Sequence, residues 1–213
     1  MKYDYLAIEK KWQDKWDEAG VFRALDEKEA GGKPKFYALV EFPYPSGAGM
    51  HVGHIKAYSG LEVVSRMRRM QGYNVLFPMG FDAFGLPTEN YAIKTGMHPR
   101  AVTDKNIAKF TQQLKRVGYS FDWSRVIDTT DEDYYRWTQW IFLKMFEAGL
   151  AFRDTALVNY CPTCKVVLSN EDSQGGKCDI CHSDVVQKSK DVWYLRITKY
   201  ADRLLEGLNE VDY

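Results

Sequence analysis

The segment from residue 36 to residue 78 constrains the fold more than any other part of the sequence. It begins with a short apolar run at 36–42, which favours a buried strand. A loop with two prolines and two glycines follows at 43–49. A helix is predicted over 54–71 and a second strand over 74–78. This order predicts a parallel α/β sheet, in which ligands bind beyond the carboxyl ends of the strands.

Further elements are predicted on both sides of this segment. The apolar residues recur at helical spacing in four stretches, 5–19, 100–117, 131–148 and 198–208. Short runs of residues that favour strands occur at 157–160 and 192–197. No repeat and no low-complexity tract interrupts this pattern, which supports an α/β fold.

Composition excludes several classes of protein. The chain has 213 residues, of which 45% are hydrophobic, so general disorder is excluded. Lys+Arg and Asp+Glu each number 29, which argues against binding of nucleic acid by bulk charge. Two basic clusters, Arg66/Arg68/Arg69 and Lys105/Lys109/Lys115/Arg116, could contact phosphates, although a solvated helix face is favoured for both. No run approaches the roughly 20 apolar residues of a membrane span, and no secretory signal begins the chain, so we expect a cytoplasmic protein.

Two histidines lie at the junction between the loop and the predicted helix. His51 and His54 are separated by Val52 and Gly53. A helix N-terminus presents outward N–H groups that attract phosphate, and imidazoles there add further donors. Gly53 lets a flat ligand approach the backbone. The alternative is a pair of surface histidines in a turn, but the strand before and the helix after favour an anion site.

A carboxylate follows the second predicted strand. Asp82 would lie at the end of that strand, beside the loop that carries Tyr44, where it could hold a ligand ammonium group. Four aromatic side chains could wall an apolar pocket there: Phe42, Tyr44, Phe81 and Phe84. The alternative is that Asp82 caps a turn and the aromatics are core, and the residue types alone favour that alternative.

Four cysteines form two close pairs. Cys161 and Cys164 make one C-x-x-C, Cys178 and Cys181 make the other, and thirteen residues separate them. This spacing is typical of a tetrahedral Zn²⁺ site. Disulfides and a redox pair are the disfavoured alternatives. His182 could replace one ligand, although four cysteines suffice.

Several of these motifs together resemble one family. The sequence Phe-Pro-Tyr-Pro-Ser-Gly at 42–47, the H-x-G-H at 51–54 and Gly-Phe-Asp-Ala-Phe-Gly-Leu-Pro at 80–87 resemble the N-terminal part of bacterial-type leucyl-tRNA synthetases. The resemblance continues through Phe-Asp-Trp-Ser-Arg at 121–125 and the cysteine segment. It implies the first half of a Rossmann-like class I nucleotide-binding fold with a small inserted zinc-binding module.

The resemblance also implies residue roles. His51 and His54 would be catalytic and contact ATP, with Mg²⁺ assisting the phosphates. The remaining ATP-binding positions implied are Pro45, Ser46, Gly47 and Gly53. The amino-acid site implied comprises Phe42, Tyr44 and Asp82. The four cysteines would hold a structural zinc ion. The complete enzyme would activate leucine to leucyl-adenylate and transfer it to tRNA(Leu).

Two positions depart from the family pattern. Glu41 stands where an apolar residue such as Met is usual, and Phe81 stands where Trp is usual. The charge of Glu41 would lie near the amino-acid pocket unless its side chain points to the other face of the strand. A related class I synthetase for another aliphatic amino acid is therefore an alternative, and a non-catalytic module that binds ATP and zinc is a second.

The family pattern also predicts the domain organisation. We expect an N-terminal helix and loop at 1–35, the first half of the catalytic domain at 36–156, the zinc module at 157–190, and a strand and helix at 191–213. No Lys-Met-Ser-Lys-Ser element occurs in the sequence. We therefore expect an N-terminal portion, inactive alone, that works with a C-terminal subunit or remainder.

Overall fold

A computed structural model describes residues 3–45 and 49–212 of the chain. The chain divides into two compact units, Met1–Arg136 and Trp137–Tyr213. Within the described ranges, no helix combines the length and the apolar character needed to cross a bilayer.

The first unit alternates helices with very short strands. Its helices are α1 (Tyr5–Ala19), α2 (Val52–Met70), α3 (Leu86–Thr95) and α4 (Pro99–Val117), and α5 (Glu132–Glu147) begins near its end. Its strands are β1 (Lys35–Tyr37), β2 (Asn74–Leu76), β3 (Gly80–Phe81) and β4 (Ile127–Asp128). A 3-10 turn at Trp123–Arg125 precedes β4.

The strands of the first unit pair in parallel, as predicted, and form two two-stranded sheets. β1 pairs with β2, with Phe36 opposite Val75, and β3 pairs with β4. Single hydrogen bonds extend these pairings: the Asp82 N–H donates to the Pro43 carbonyl at 3.1 Å. The Asp122 N–H donates to the Phe77 carbonyl at 2.8 Å. The extended chain at 74–82 therefore runs between 35–43 on one side and 122–129 on the other.

The first predicted strand is shorter than expected. The sequence predicted a strand over 36–42, but regular pairing ends at Tyr37. Beyond it, Pro43 cannot donate a hydrogen bond to a neighbouring strand and restricts the residue before it. The chain from Leu39 therefore leaves the regular ladder, although the Pro43 carbonyl still accepts from the Asp82 N–H. The second strand likewise stops at Leu76, two residues before Pro78.

Helices α2 and α4 cover this sheet and share a core with it. The buried cluster comprises Ala38, Val40, Tyr58, Val75, Phe77, Met79, Phe81, Phe110, Leu114, Tyr119 and Phe121. Its aromatic rings pack edge to face or tilted, with the centroids of Phe77 and Phe121 4.3 Å apart. Since Tyr58 lies on α2 and Phe110 on α4, the core fixes both helices against the strand ends.

The basic side chains of α2 are used inside the molecule. Arg66 pairs with the buried Glu62, and Arg69 donates to the hydroxyl and carbonyl of Ser120 at 2.6 and 2.9 Å. The guanidinium of Arg68 lies over aromatic rings, 5.1–5.3 Å from their centroids. The prediction that this cluster forms a solvated helix face is therefore wrong. Arg66 and Arg69 thus tie α2 to the segment at 118–120, where Arg66 donates to the Gly118 carbonyl at 2.7 Å.

The second unit is built on an antiparallel sheet. Its strands are β5 (Ala151–Cys161), β6 (Val166–Leu168) and β7 (Val186–Leu195), in the order β6-β5-β7. β5 and β7 are longer than the predicted 157–160 and 192–197, because much of each strand is exposed and polar and shows no clean alternation. The predicted helix at 198–208 is a 3-10 turn followed by α6 (Ala201–Gly207).

Candidate functional site

The two histidines cap the N-terminus of α2 and bond to each other's backbone. His51 is the N-cap residue in extended conformation, and its Nδ1 accepts from the Gly53 N–H at 3.1 Å. The Nδ1 of His54 accepts from the His51 N–H at 3.2 Å. The ring centroids lie 3.9 Å apart with planes at 31°. The structure therefore brings together the two residues that the sequence singled out.

These hydrogen bonds define the tautomer of both rings. A backbone N–H can donate only to an unprotonated Nδ1, so each neutral imidazole carries its proton on Nε2. His51 and His54 therefore both offer an Nε2–H donor, while their Nδ1 atoms are engaged with the helix start. Paired donors at a helix N-terminus suit an anionic ligand such as a phosphate.

His54 lies in a half-buried environment. Its ring is 6.0 Å from Tyr58 and 6.3 Å from Phe110, measured between centroids. Burial and the neighbouring His51 lower the pKa of His54 below its usual 6.5, because a second positive charge is disfavoured there. The ring is therefore neutral at physiological pH and acts as a hydrogen-bond donor.

Glu41 lies beside this histidine pair. The Tyr58 hydroxyl donates to the Glu41 carbonyl at 3.2 Å, and burial raises the pKa of Tyr58. The Glu41 side chain is exposed. Its negative charge partly offsets the lowering of the His54 pKa. The charge that departs from the family pattern is thus within electrostatic range of His54.

The loop before the histidines is held at its described flanks. Pro45 is buried, and its carbonyl accepts from the Asn106 side chain at 2.7 Å. The predicted ATP-binding residues Ser46 and Gly47 lie outside the described residues. Asn106 is a residue of this region that no sequence motif identified, because its contact with Pro45 joins positions 61 residues apart.

Phe42 and Asp82 meet where the extended chain leaves the sheet. A Cβ at Gly80 would lie 2.5 Å from the Phe42 ring, so the absence of a side chain there lets the ring lie on the backbone. The Asp82 N–H bonds to the Pro43 carbonyl, which brings these segments side by side. The Asp82 carboxylate is half-buried and accepts no hydrogen bond from residues 3–45 or 49–212. It therefore does not cap a turn within that part of the chain.

The four aromatic residues expected to wall one pocket are separated. Phe81 is fully buried in the core, 6.5 Å from the Phe110 ring. Tyr44 and Phe84 are 64% and 58% exposed. The prediction that Phe81 helps to wall this pocket is therefore wrong, whereas the role of Phe42, Tyr44 and Phe84 stays a prediction. The reason is the alternation of the strand: Phe81 points into the core, whereas Asp82 next to it points away.

The cysteines form one cluster in the second unit. One Sγ from each of Cys161, Cys164, Cys178 and Cys181 lies within 4.8 Å of every other. A tetrahedral zinc site with bonds of about 2.3 Å separates its sulfurs by about 3.8 Å, which is within the spread of this cluster. His182 does not belong to the group. The four residues could hold a metal ion.

The thiols influence one another's ionisation. Hydrogen bonds from Ser183 lower the pKa of Cys181 to about 6. The hydrogen bond with Cys181 raises the pKa of Cys164 to about 12, because its proton is shared with that sulfur. One thiolate is therefore available at neutral pH, and a bound cation would draw the remaining protons off.

Comparisons with known proteins agree with this geometry. Residues 11–213 match the family model of class I tRNA synthetases (I, L, M and V). The chain is 58% identical over 212 residues to the leucine–tRNA ligase of Alkaliphilus oremlandii (strain OhILAs), and the match covers 100% of this chain and 26% of that protein. The chain thus spans about a quarter of the length of that relative.

Solved structures show the same architecture. The agnB2 LeuRS–tRNA–LeuAMS ternary complex of Agrobacterium radiobacter K84 matches with a TM-score of 0.84 and 35% identity, over 99% of this chain and 27% of that chain. A Mycobacterium tuberculosis methionyl-tRNA synthetase in complex with methionyl-adenylate matches with a TM-score of 0.66 and 24% identity, over 83% of this chain and 35% of that chain. The second match shows a common fold.

Proposed function

This chain belongs to the class I tRNA synthetase family that comprises the I, L, M and V enzymes, and from that membership we propose that it supplies the ATP- and leucine-binding part of a leucine–tRNA ligase. The predicted α/β class I fold is confirmed by the same comparisons. The observation that carries the choice of leucine is the 58% identity to a leucine–tRNA ligase over the whole chain.

The histidine pair supports an ATP-binding role. The Nε2–H groups of His51 and His54 would donate to phosphate oxygens at the N-terminus of α2. Gly53, whose missing side chain leaves room for the His51 ring, would complete this anion site. Pro45, Ser46 and Gly47 are the remaining residues proposed to bind ATP. Donors fixed before the reaction stabilise charge that develops on the phosphate, and Mg²⁺ would supply further neutralisation.

Asp82 supports an amino-acid role. Its carboxylate has no hydrogen-bond donor among the described residues, so it would bind the leucine ammonium together with the carbonyl of Phe42. Tyr44 would belong to the same site. A leucine carboxylate oxygen would then bond to the α-phosphorus of ATP as the bond to the bridging oxygen breaks, releasing pyrophosphate. A ribose hydroxyl of tRNA(Leu) would next take the leucyl group and release AMP.

The cysteine cluster is proposed to hold a structural zinc ion. All four sulfurs come from the protein, so a tetrahedral ion would have no open position for a substrate. Zinc would be coordinated by the four thiolates, and its binding would stabilise the fold of the second unit. Stable thiolates also suit a reducing compartment, which supports a cytoplasmic location.

Catalysis would need more polypeptide than these 213 residues. The family's Lys-Met-Ser-Lys-Ser loop, which stabilises the leaving pyrophosphate, does not occur in the sequence. We therefore propose that the chain acts with a polypeptide that corresponds to the parts of leucine–tRNA ligases that it does not match.

The test is ATP–pyrophosphate exchange with each of the twenty amino acids. It is run on this chain alone and mixed with the part of the Alkaliphilus enzyme that this chain does not match. Leucine-dependent exchange in the mixture supports the proposal. Exchange with another amino acid instead of leucine would indicate that the chain belongs to a related class I synthetase for that amino acid. ATP binding without any exchange would favour a non-catalytic module.

A further inference from the structure

Helix α4 holds both described flanks of the loop that precedes the histidine pair. The Asn106 Nδ2 donates to the Pro45 carbonyl at 2.7 Å. The Gln113 Oε1 accepts from the Met50 N–H at 2.9 Å. One carboxamide acts as a donor and the other as an acceptor, so each end of the loop has a specific partner.

The two carboxamides share one face of a rigid helix. They are seven residues apart, which is about two turns and about 10.5 Å along the axis. Phe110 lies between them on the same side and is buried in the core, as is Leu114 one residue after Gln113. Because these apolar anchors fix α4, the carboxamides are held at fixed positions relative to the sheet.

A third contact engages the same glutamine. A Cβ at Gly49 would lie 2.8 Å from the Gln113 Nε2 and 3.0 Å from its Oε1. The Gln113 amide therefore occupies the space that a side chain at position 49 would need. Glycine at this position permits the hydrogen bond between Gln113 and Met50.

This arrangement connects directly to the histidines. Met50 precedes His51, whose N–H bonds to the Nδ1 of His54. The ring of Phe110 lies against His54 on the other side. Any displacement of Met50 therefore moves the His51 backbone and loosens the reciprocal cap.

We propose that Asn106 and Gln113 are positioning residues that set the geometry of His51 and His54 through the loop flanks. The functional consequence, tighter ATP binding, rests on the proposed function above. Neither carboxamide need touch the nucleotide. Their contribution is preorganisation, because Pro45 and Met50 hold the backbone that leads to His51 in place before a ligand binds.

The first test compares Asn106→Ala and Gln113→Ala with Gln112→Ala, an exposed glutamine on the same helix. Two readouts are measured on the 213-residue chain: ATP affinity by calorimetry, and the pKa of His54 by NMR titration of its four histidines. Each positioning variant should weaken ATP binding on the order of tenfold, since one hydrogen bond that organises the site is lost. The pKa of His54 should rise towards 6.5 because the ring becomes more solvated.

The two readouts separate failure of this inference from failure of the proposed function. A wild-type chain that binds no ATP would count against the ATP role, while the His54 titration would still test the positioning. Unchanged ATP affinity and an unchanged His54 pKa in both variants would overturn the positioning role of Asn106 and Gln113. If either alanine variant fails to fold by circular dichroism, the isosteric Asn106→Leu and Gln113→Met remove the same hydrogen bonds with the volume kept.

A double-mutant cycle tests the contact with Gly49. Gly49→Ala should weaken ATP binding on the order of tenfold in the wild type, because its methyl displaces the Gln113 amide. In the Gln113→Ala background that loss should be smaller, because the obstructing amide is absent, and the part that remains reports the strain of a side chain at the positive φ of Gly49 (157°). Full additivity would overturn the direct contact on which the positioning depends.

Discussion

His51 and His54 are coupled by a hydrogen bond from the backbone N–H of the first to the Nδ1 of the second, with their rings 3.9 Å apart. The conformation and the protonation of one imidazole therefore affect the other. Both Nδ1 atoms are engaged, so both rings direct an Nε2–H donor away from the helix start. Protonation of either ring would remove the Nδ1 acceptor and place a positive charge beside its neighbour.

The first prediction concerns pH. Because the pKa of His54 lies below 6.5 in the folded chain, the unfolded chain binds more protons as the pH falls through 6.5. His54 therefore leaves the free energy of unfolding unaffected above about pH 7.5 and lowers it between pH 6.5 and the folded pKa. Urea unfolding at about pH 7.5 and about pH 5.5 should show a smaller pH-dependent loss for His54→Gln than for wild type.

His51→Ala provides the matched variant for this prediction. Removing its imidazole takes away a neighbouring positive charge and exposes His54, and both changes raise the pKa of His54. NMR titration should therefore show His54 protonating at higher pH in His51→Ala. An unchanged or lower pKa would contradict the electrostatic coupling of the two rings.

The order of the elements was predictable because apolar periodicity is local. The pattern of strand, loop, helix and strand gave the parallel pairing of β1 and β2 and nearly the bounds of α2. Helix α3 was missed because the glycine- and proline-containing motif at 80–89 is typical of a loop. Pro87 is tolerated in the first turn of α3, because backbone N–H groups there have no intrahelical acceptor and a residue without an N–H loses no hydrogen bond.

The clustering of the two histidines and of the four cysteines was predictable, but their surroundings were not. The H-x-G-H spacing and the C-x-x-C pairs bring partners together over short distances in sequence, so the pattern identifies both groups. Whether Phe81 is buried depends on which face of the strand it occupies, and a shift of one residue in the strand would place it on the opposite face. The contacts of Asn106 and Gln113 join residues about sixty apart, and no local pattern indicates them.

A substitution at Gly80 tests how closely Phe42 lies on the backbone. Gly80→Ala would place a methyl 2.5 Å from the Phe42 ring, so the ring or the strand must shift. We expect a loss of about 1–3 kcal/mol in the free energy of unfolding, measured in urea. Gly60→Ala is the control, since Gly60 is an exposed position of α2 and its Cβ would meet nothing within 4 Å. That change should be neutral or stabilise the chain by about 0.5–1 kcal/mol. Equal effects of the two substitutions would contradict the close approach of Phe42.

Removal of one thiol tests the metal site. Cys161→Ser and Cys178→Ser each remove a buried ligand of the four-sulfur cluster. Metal analysis should show zinc falling from about one ion per chain to nearly none. Amide exchange at 157–190 should increase, because the metal no longer joins the two C-x-x-C turns. His182→Ala should keep its zinc, because this residue lies outside the cluster. Loss of zinc in that variant would show that the ligand set differs from the four cysteines.

The last prediction concerns Asp82, whose carboxylate accepts no hydrogen bond from the described residues and is half-buried at the end of β3. Asp82→Asn keeps the shape and the backbone bond to Pro43 but removes the charge. If Asp82 binds the leucine ammonium, the loss is about 1.5–3 kcal/mol, or about ten- to a hundredfold in Kd. Calorimetry with leucine measures that loss, and urea unfolding should show unchanged stability. Glu41→Gln is the matched control: its carboxylate is exposed and acts electrostatically on His54, and its removal should change leucine affinity less than threefold. Equal losses in the two variants would mean that the ammonium responds to the general negative charge of this edge, whereas unchanged affinity in Asp82→Asn would exclude Asp82 from the leucine site.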